Sequence, residues 1–469
     1  MDLVLPDSLA INAWNGSGRA VSGGLHDPSL WGVRNSLPRV GEELWGAKEP
    51  DLTCWRDPDV GWGLVLPDNP ELGAADRACA IDAPEPICEL LGDRPGSPVF
   101  RYLNDVDDPL ARLGRDLPDG RRVTPDIARS KYGVGEDRIP YYLLICASPE
   151  QVPWDLQYAL NARSAVGRLD LDEAGLANYV AALRRGWDDR AEPLASMVIW
   201  ATDHGAGDMS RTMRLYIAAP LWDLVKDDPD VGGCSTMLDR DHGGATAESL
   251  LEALAARAPG MVVTTSHGVT CPLDDLAALR AALGLPVGED ESFVSGEHVL
   301  GSCDLYGTVW YAHACCSAGS RDQTVFEDLF DAGSEAGKVL RGVAALGSVS
   351  SPLPRALLGA PRPLRAFVGH VEPTFDWTIA DPQTRQTLAG GLTTALWTRM
   401  FKRASCTVGH AFRCYFDPIG PLSVRQMRLR ECWNVGKDVT AELLAAQLPG
   451  RDLMSTVILG DPTVRLRFD

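Results

Sequence analysis

Two short runs in this chain carry the side chains that acyl transfer needs. MVVTTS (261–266) leads into His267-Gly268, and TVWYAHA (308–314) leads into Cys315-Cys316-Ser317-Ala318-Gly319. Each run is apolar and rich in β-branched or aromatic residues, so each reads as a buried strand ending in a reactive side chain. If the strands are parallel neighbours, both tips lie on one edge of a sheet. A His there can take the thiol proton, and the thiolate left behind is the nucleophile. Gly268 leaves room for a substrate and offers its N–H to a developing oxyanion. Residues 317–319 are small enough for a tight turn into a following helix, whose N-terminus would help hold a thiolate. The competing reading is structural: a hydrogen-bonded His at a strand end and a thiol buried for packing.

The elements around these runs set the expected architecture. RIPYYLLICA (138–147) is a nearly continuous apolar run, the pattern of a strand buried on both faces. Leu176, Tyr179, Val180 and Leu183 then recur at helical spacing. The alternation continues through a strand at 196–203, helix TAESLLEALAARA, the strand before His267, helix DDLAALRAAL, the strand before Cys315 and a helix over 322–330. Further strands are expected at 364–369 and in STVILGDPTVRLRF near residue 460. Strand and helix alternating in this way predict an α/β fold, a mainly parallel sheet with helices on both faces. Ligands of such sheets bind beyond the carboxyl ends of the strands. Residues 1 to about 135 are rich in Gly, Pro, Asp and Trp and show only short apolar stretches, so an irregular region with short strands around buried Trp is expected there.

Length and composition bound the remaining choices. The 469 residues allow about three domains. With 45% hydrophobic and 23% charged residues the chain has the make-up of an ordinary globular protein. Its net charge of −20 repels a phosphate backbone on average and disfavours a general nucleic-acid binder. Only six of the basic residues are Lys, a bias that points to a GC-rich bacterial genome. The twelve Cys include no CxxC and are expected to be reduced thiols. No basic leader and no apolar run of membrane-spanning length stands out, so a cytoplasmic protein without membrane association is expected.

Strand-HG, an interval near 50 residues, then strand-AC with small residues after it resembles the caspase-like cysteine peptidases, the group of caspases, legumain, separase, gingipains and bacterial CHAT domains. Three further stretches resemble the gingipain-like branch: IPYYLLICASPEQVPWDLQYALNARSAVGRL with its "IP" and "GR", LRAFVGHVEPTFDW after the nucleophile, and VILGDPTVRL as a closing strand. The resemblance covers about residues 138–469. It implies a caspase-like fold divided into an N-terminal accessory or regulatory region (1–135), a first, non-catalytic α/β subdomain (136–195) and a catalytic domain (196–469).

The resemblance also implies roles: His267 as general base, Cys315 as nucleophile, and the N–H groups of Gly268 and the Cys as oxyanion hole. The doubled cysteine departs from the family motif, because Gly319 lies four residues after Cys315 but three after Cys316. Ala314 directly before Cys315 favours that residue, and both thiols stay open. For substrate binding the family uses two loops, which here supply Asp203 and Asp208 from ATDHGAGD and Glu372, Asp376 and Trp377 from GHVEPTFDW. A carboxylate at the base of the pocket would select Arg or Lys before the scissile bond, with Trp377 as a wall. No metal and no cofactor are expected. Cys406, His410 and Cys414 share a helical face, yet core packing explains them.

The function expected is therefore a cysteine endopeptidase that cleaves protein substrates. It would be latent until an activating protein partner, a cleavage event or an ion completes the site, in a setting such as bacterial defence or regulated cell death. The alternatives are a catalytically silent scaffolding module of the same fold and acyl transfer other than peptide hydrolysis. The Trp-bearing segment that includes Trp31, Trp45, Trp55 and Trp62 is the candidate for control.

Overall fold

The structure, a computed structural model, describes residues 49–466 except 105, 189, 191–194, 327–328, 332, 382–383, 385 and 403–405. Trp31, Trp45 and the glycine-bearing segment 15–24 lie outside the described residues. Residues 51–469 form one compact unit.

That unit is built on ten strands: β1 (Trp62–Pro67), β2 (Val99–Tyr102), β3 (Tyr142–Cys146), β4 (Ala165–Leu169), β5 (Met197–Ala201), β6 (Thr236–Leu238), β7 (Met261–Thr265), β8 (Val309–His313), β9 (Ala366–His370) and β10 (Thr456–Leu459). They form one sheet in the order β2-β1-β3-β4-β10-β9-β8-β7-β5-β6. Every pairing is parallel except β9 with β10. The sheet is thus two parallel halves running in opposite directions and joined at one antiparallel seam. Strands β3, β5, β7, β8 and β9 are buried along their whole length. Covering on both faces demands this, and it is why their sequences are continuous apolar runs instead of alternating ones.

Helices flank the strands where the 3.6-residue pattern places them. Helix α1 (Glu173–Arg185) starts at Asp172, whose carboxylate accepts the N–H of Gly175, and ends at Gly186 in the left-handed region. Helix α2 (Ala247–Arg257) opens on a reciprocal cap between Thr246 and Ser249.

Several expectations change. The boundary expected at residue 135 falls inside the sheet, since β1 and β2 come from the stretch read as accessory and β1 pairs directly with β3. No α-helix is seen among the described residues of 322–330, which are bends, turns and irregular chain apart from Leu329 in 3-10 conformation. The "GR" pair, Gly167 and Arg168, lies within β4, just ahead of α1. There the Arg168 guanidinium is buried over the Trp154 ring and donates to Gln157 and the Ala147 carbonyl. The Asp461 carboxylate of the closing "GDP" receives Arg94 at 2.9 Å and the Trp62 indole N–H at 3.2 Å, an anchor between β1 and the turn after β10. Beyond β9 two helices missed in the sequence, α3 (Ile419–Asn434) and α4 (Thr440–Met454), pack against each other.

Candidate active site

Strands β7 and β8 pair in parallel, Met261 with Val309 through Thr265 with His313. The pairing carries on as Ser266 N–H donates to the His313 carbonyl at 3.2 Å. Two residues beyond the last strand pair stand His267 and Cys315, so the register alone sets the two reactive residues at one level. Their backbones touch: a Cβ built on Gly268 would lie 2.0 Å from the Cys315 carbonyl oxygen. Only glycine permits this approach. Gly284 presses on the next residue in the same way, with a Cβ position 2.0 Å from the Cys316 oxygen.

The turn after β8 separates the two thiols. Cys316 has φ of 56°, in the left-handed region where a side chain costs about 1 kcal/mol, and this reverses the chain. Its side chain enters a core cluster with Leu279, Leu283, Val343, Leu346 and Val349, and burial pushes its thiol well up. Its carbonyl accepts Ser351 Oγ at 2.5 Å, and its N–H donates to the Glu372 carbonyl at 3.2 Å. Cys315 packs on the margin of the same cluster, and its sulfur meets Thr374, whose N–H donates to its Sγ at 3.4 Å and whose Oγ1 lies at 3.9 Å. Burial raises the Cys315 thiol and the Thr374 contacts offset this only in part. In this conformation the sulfur is held as a thiol. The helix expected directly after the nucleophile is not there: Gly319–Ser320 instead pair antiparallel with Val349–Ser350. No helix N-terminus therefore assists the thiolate. Among the described residues neither the Gly268 N–H nor the Cys315 N–H donates to a backbone carbonyl, and the Cys315 N–H lies against its own sulfur.

His267 is half exposed, and its partner is Asp208. The ring Nε2 lies 2.9 and 3.1 Å from the two carboxylate oxygens. Asp208 also caps the turn that follows it, accepting Ser210 N–H at 2.8 Å and Ser210 Oγ at 2.5 Å. Burial alone would raise the Asp208 carboxyl, but the bonds from Ser210 and His267 outweigh it and hold it below the usual range. An ionised Asp208 on Nε2 fixes the tautomer with the proton on Nε2 and the lone pair on Nδ1.

The acids expected to line a substrate pocket have other employment. Asp208 is on His267. Asp203 is buried, caps Gly205 N–H at 3.0 Å and lies 3.5 Å from both Arg214 and Arg240. Glu372 is buried against Arg321 at 3.3 Å and Thr324 at 3.3 Å, and burial raises its pKa despite them. Asp376 is exposed at the head of a short turn (Asp376–Thr378), with no ion pair among the described residues. Trp377 packs on the cluster of Phe326, Leu340 and Leu448 instead of standing as a free wall. Cys406, His410 and Cys414 do not converge: His410 Nδ1 meets the Tyr141 hydroxyl at 2.9 Å, and Cys414 points to backbone carbonyls. No disulfide is seen among the described residues.

A polar cluster under the site carried no sequence signal. His313 and His370 meet edge to face at 4.6 Å, both buried, and desolvation pulls His313 down to about 4 and His370 well below the usual imidazole value. Asp452 of α4 lies beneath them, 3.7 Å from His370 Nδ1. Its other oxygen accepts Thr378 Oγ1 at 2.6 Å and Phe375 N–H at 3.3 Å, next to the Thr374 that holds Cys315. Burial drives this carboxyl up to about 7 against those two bonds.

Comparison with known proteins adds little to this geometry. No family model and no curated protein matches the chain. Two structures of the Saccharomyces cerevisiae separase–securin complex are similar over 73% of this chain, at 12% identity and TM-scores of 0.35 and 0.34. The similarity covers 16% of the length of those chains. What the coordinates define is a protein with a mainly parallel α/β sheet and a Cys, a His and an Asp gathered at one of its edges. No helix among the described residues is long and apolar enough to cross a membrane.

Proposed function

We propose that this protein is a cysteine endopeptidase of the caspase-like kind, with Cys315 as nucleophile, His267 as general base and Asp208 as the residue that positions His267. The observation that carries the reading is the contact of the two strand tips through Gly268 and Cys315, with a carboxylate on Nε2 of the His267 ring. Nδ1 of His267 takes the thiol proton as Sγ attacks the scissile carbonyl carbon. The oxygen becomes an oxyanion that the N–H groups of Gly268 and Cys315 receive. Collapse of the adduct breaks the C–N bond, and His267 returns the proton to the departing amine. Water, deprotonated by the same nitrogen, then cleaves the thioester and restores the thiol. Asp208 stays ionised and stabilises the imidazolium formed in each half-reaction.

The conformation described supports a latent enzyme, because burial keeps Cys315 protonated and Thr374 occupies its sulfur. An activating partner or cleavage that draws the 374–378 loop away would free the thiol for His267. The test is labelling of the purified protein with peptidyl electrophiles bearing Arg, Lys, Asp or Asn, followed by mapping of the modified Cys by mass spectrometry. Adduct on Cys315, lost in His267→Ala, is the expected result. A folded protein that cleaves no peptide, and whose Cys315 reacts with electrophiles no faster than its exposed Cys54, would favour the scaffolding reading.

A further inference from the structure

Outside the candidate active site, a cavity of about 220 Å³ is lined by five arginines (Arg56, Arg94, Arg184, Arg365 and Arg465) and one carboxylate, Asp93. In a chain of net charge −20 this is a local reversal of sign. Two tryptophans, Trp55 and Trp187, complete the wall. Arg365 directly precedes β9, whereas Thr374 and the nucleophile lie beyond that strand's other end, so the sheet separates the cavity from the Cys-His pair.

Two of the arginines have carboxylate partners: Arg94 bonds Asp461 at 2.9 Å, and Arg184 pairs with Glu89 and Asp93. Arg56 and Arg465 have none among the described residues. Arg465 donates to the Thr53 carbonyl at 2.5 Å, and the exposed Asp51 carboxylate feels its charge without forming an ion pair with it. Arg56 stacks on the Trp55 ring at 4.3 Å, and Arg94 lies over the same ring at 4.6 Å. Two like charges are therefore held on one indole. Arg94 is nearly fully buried, and burial lowers its pKa even with Asp461 beside it, while neighbouring Arg56 lowers it further. Such a cluster is electrostatically uphill until an anion enters, and guanidinium forks match the paired oxygens of a phosphoryl group.

We propose that this cavity binds a small phosphoryl-bearing molecule, its phosphoryl oxygens held by Arg56, Arg94 and Arg465. The volume suits an anion of the size of phosphate to that of a nucleoside monophosphate. The Trp55 and Trp187 edges would meet whatever apolar part the ligand carries. This inference stands on the cavity alone and is independent of the peptidase reading.

Isothermal titration of the full chain with inorganic phosphate, pyrophosphate and AMP tests it, because binding is read without any assay of cleavage. We expect saturable binding of at least one probe, and a loss of about tenfold or more in Arg56→Glu. Arg56 is exposed and bonds no backbone group among the described residues, so that variant should keep the melting temperature of the wild type. Arg94→Ala removes the partner of Asp461, and its failure to fold would leave the Arg56→Glu comparison standing. Equal affinities for phosphate and AMP would assign recognition to the phosphoryl group alone, and tighter AMP binding would add contacts to the indoles. No saturable binding of any probe at millimolar concentration, binding that chloride abolishes as readily as sulfate, or equal binding by wild type and Arg56→Glu would each overturn the proposal.

Discussion

Asp208 holds Nε2 of His267 at 2.9 Å although the two residues are 59 positions apart and belong to the loops after different strands. The contact places a carboxylate expected to meet substrate on the ring of the proposed general base instead. Asp208→Asn should therefore lower kcat by roughly 10²–10⁴ with KM little changed and folding intact. A role in the substrate pocket would instead raise KM for Arg or Lys peptides, so the kcat-against-KM split decides between them.

The two adjacent thiols should differ sharply. Cys315→Ala should abolish both cleavage and electrophile labelling. Cys316→Ala should leave labelling in place and destabilise the fold by about 1 kcal/mol, since it removes a sulfur from a packed cluster. Labelling that survives Cys315→Ala and disappears in Cys316→Ala would reverse the assignment.

Gly268→Ala tests the contact between the two strand tips directly. The new Cβ would meet the Cys315 oxygen at 2.0 Å, so one strand tip must move. We expect loss of labelling together with a fall in stability of about 1–3 kcal/mol, measured by denaturant midpoint. Full activity in this variant would show that the tips are not the reacting pair.

Asp452 gives stability a pH dependence of defined sign. Its carboxyl is raised to about 7 in the fold, so between the unfolded value near 4 and pH 7 the unfolded chain is ionised while the folded one still holds its proton. The fold is therefore penalised progressively as pH rises through that window, and no further above it. Asp452→Asn keeps the acceptor for Thr378 and Phe375 and should remove this fall, visible as a higher melting temperature at pH 8 with little change at pH 4. A parallel shift at both pH values would mean that the carboxyl does not titrate there.

Of the expected pocket acids, Asp376 carries no ion pair among the described residues. If it receives a basic side chain, Asp376→Asn should reduce the preference for Arg or Lys over neutral residues by roughly 10- to 100-fold in kcat/KM. Preferential cleavage after Asp or Asn by the wild type would remove Asp376 from the site.

The strands that carry the candidate dyad were legible because each is an unbroken apolar run with its reactive residue at the next turn, so local pattern contained the answer. Strand β4, AVGRL, was not, since a Gly and a buried Arg interrupt the run and the reason for Arg168 lies in Gln157 and the Ala147 carbonyl. Helix α3 was missed because charged and apolar residues alternate around it without a clear stripe. The pocket acids misled for a different reason. A carboxylate's availability depends on its cation, and Arg214, Arg240 and Arg321 reach Asp203 and Glu372 from other segments. Asp452 reaches Phe375 across 77 residues of sequence, a pairing that no window of local reading contains.

The antiparallel seam has a consequence for the order of assembly. Strand β10, at residues 456–459, is the piece that joins β4 to β9, so residues 165–169 and 366–370 have no shared sheet until it arrives. During synthesis two half-sheets must wait with open edges while nearly the whole chain is made, a topology of high contact order that slows folding and invites pairing with other chains. Because α4, which bears Asp452 and runs directly into β10, also seats the 374–378 loop against Cys315, the candidate nucleophile should reach its final environment only when that last strand slots in. A ribosome-bound chain stopped before β10 would then lack the seat for the 374–378 loop, and with it the Thr374 contact on the Cys315 sulfur.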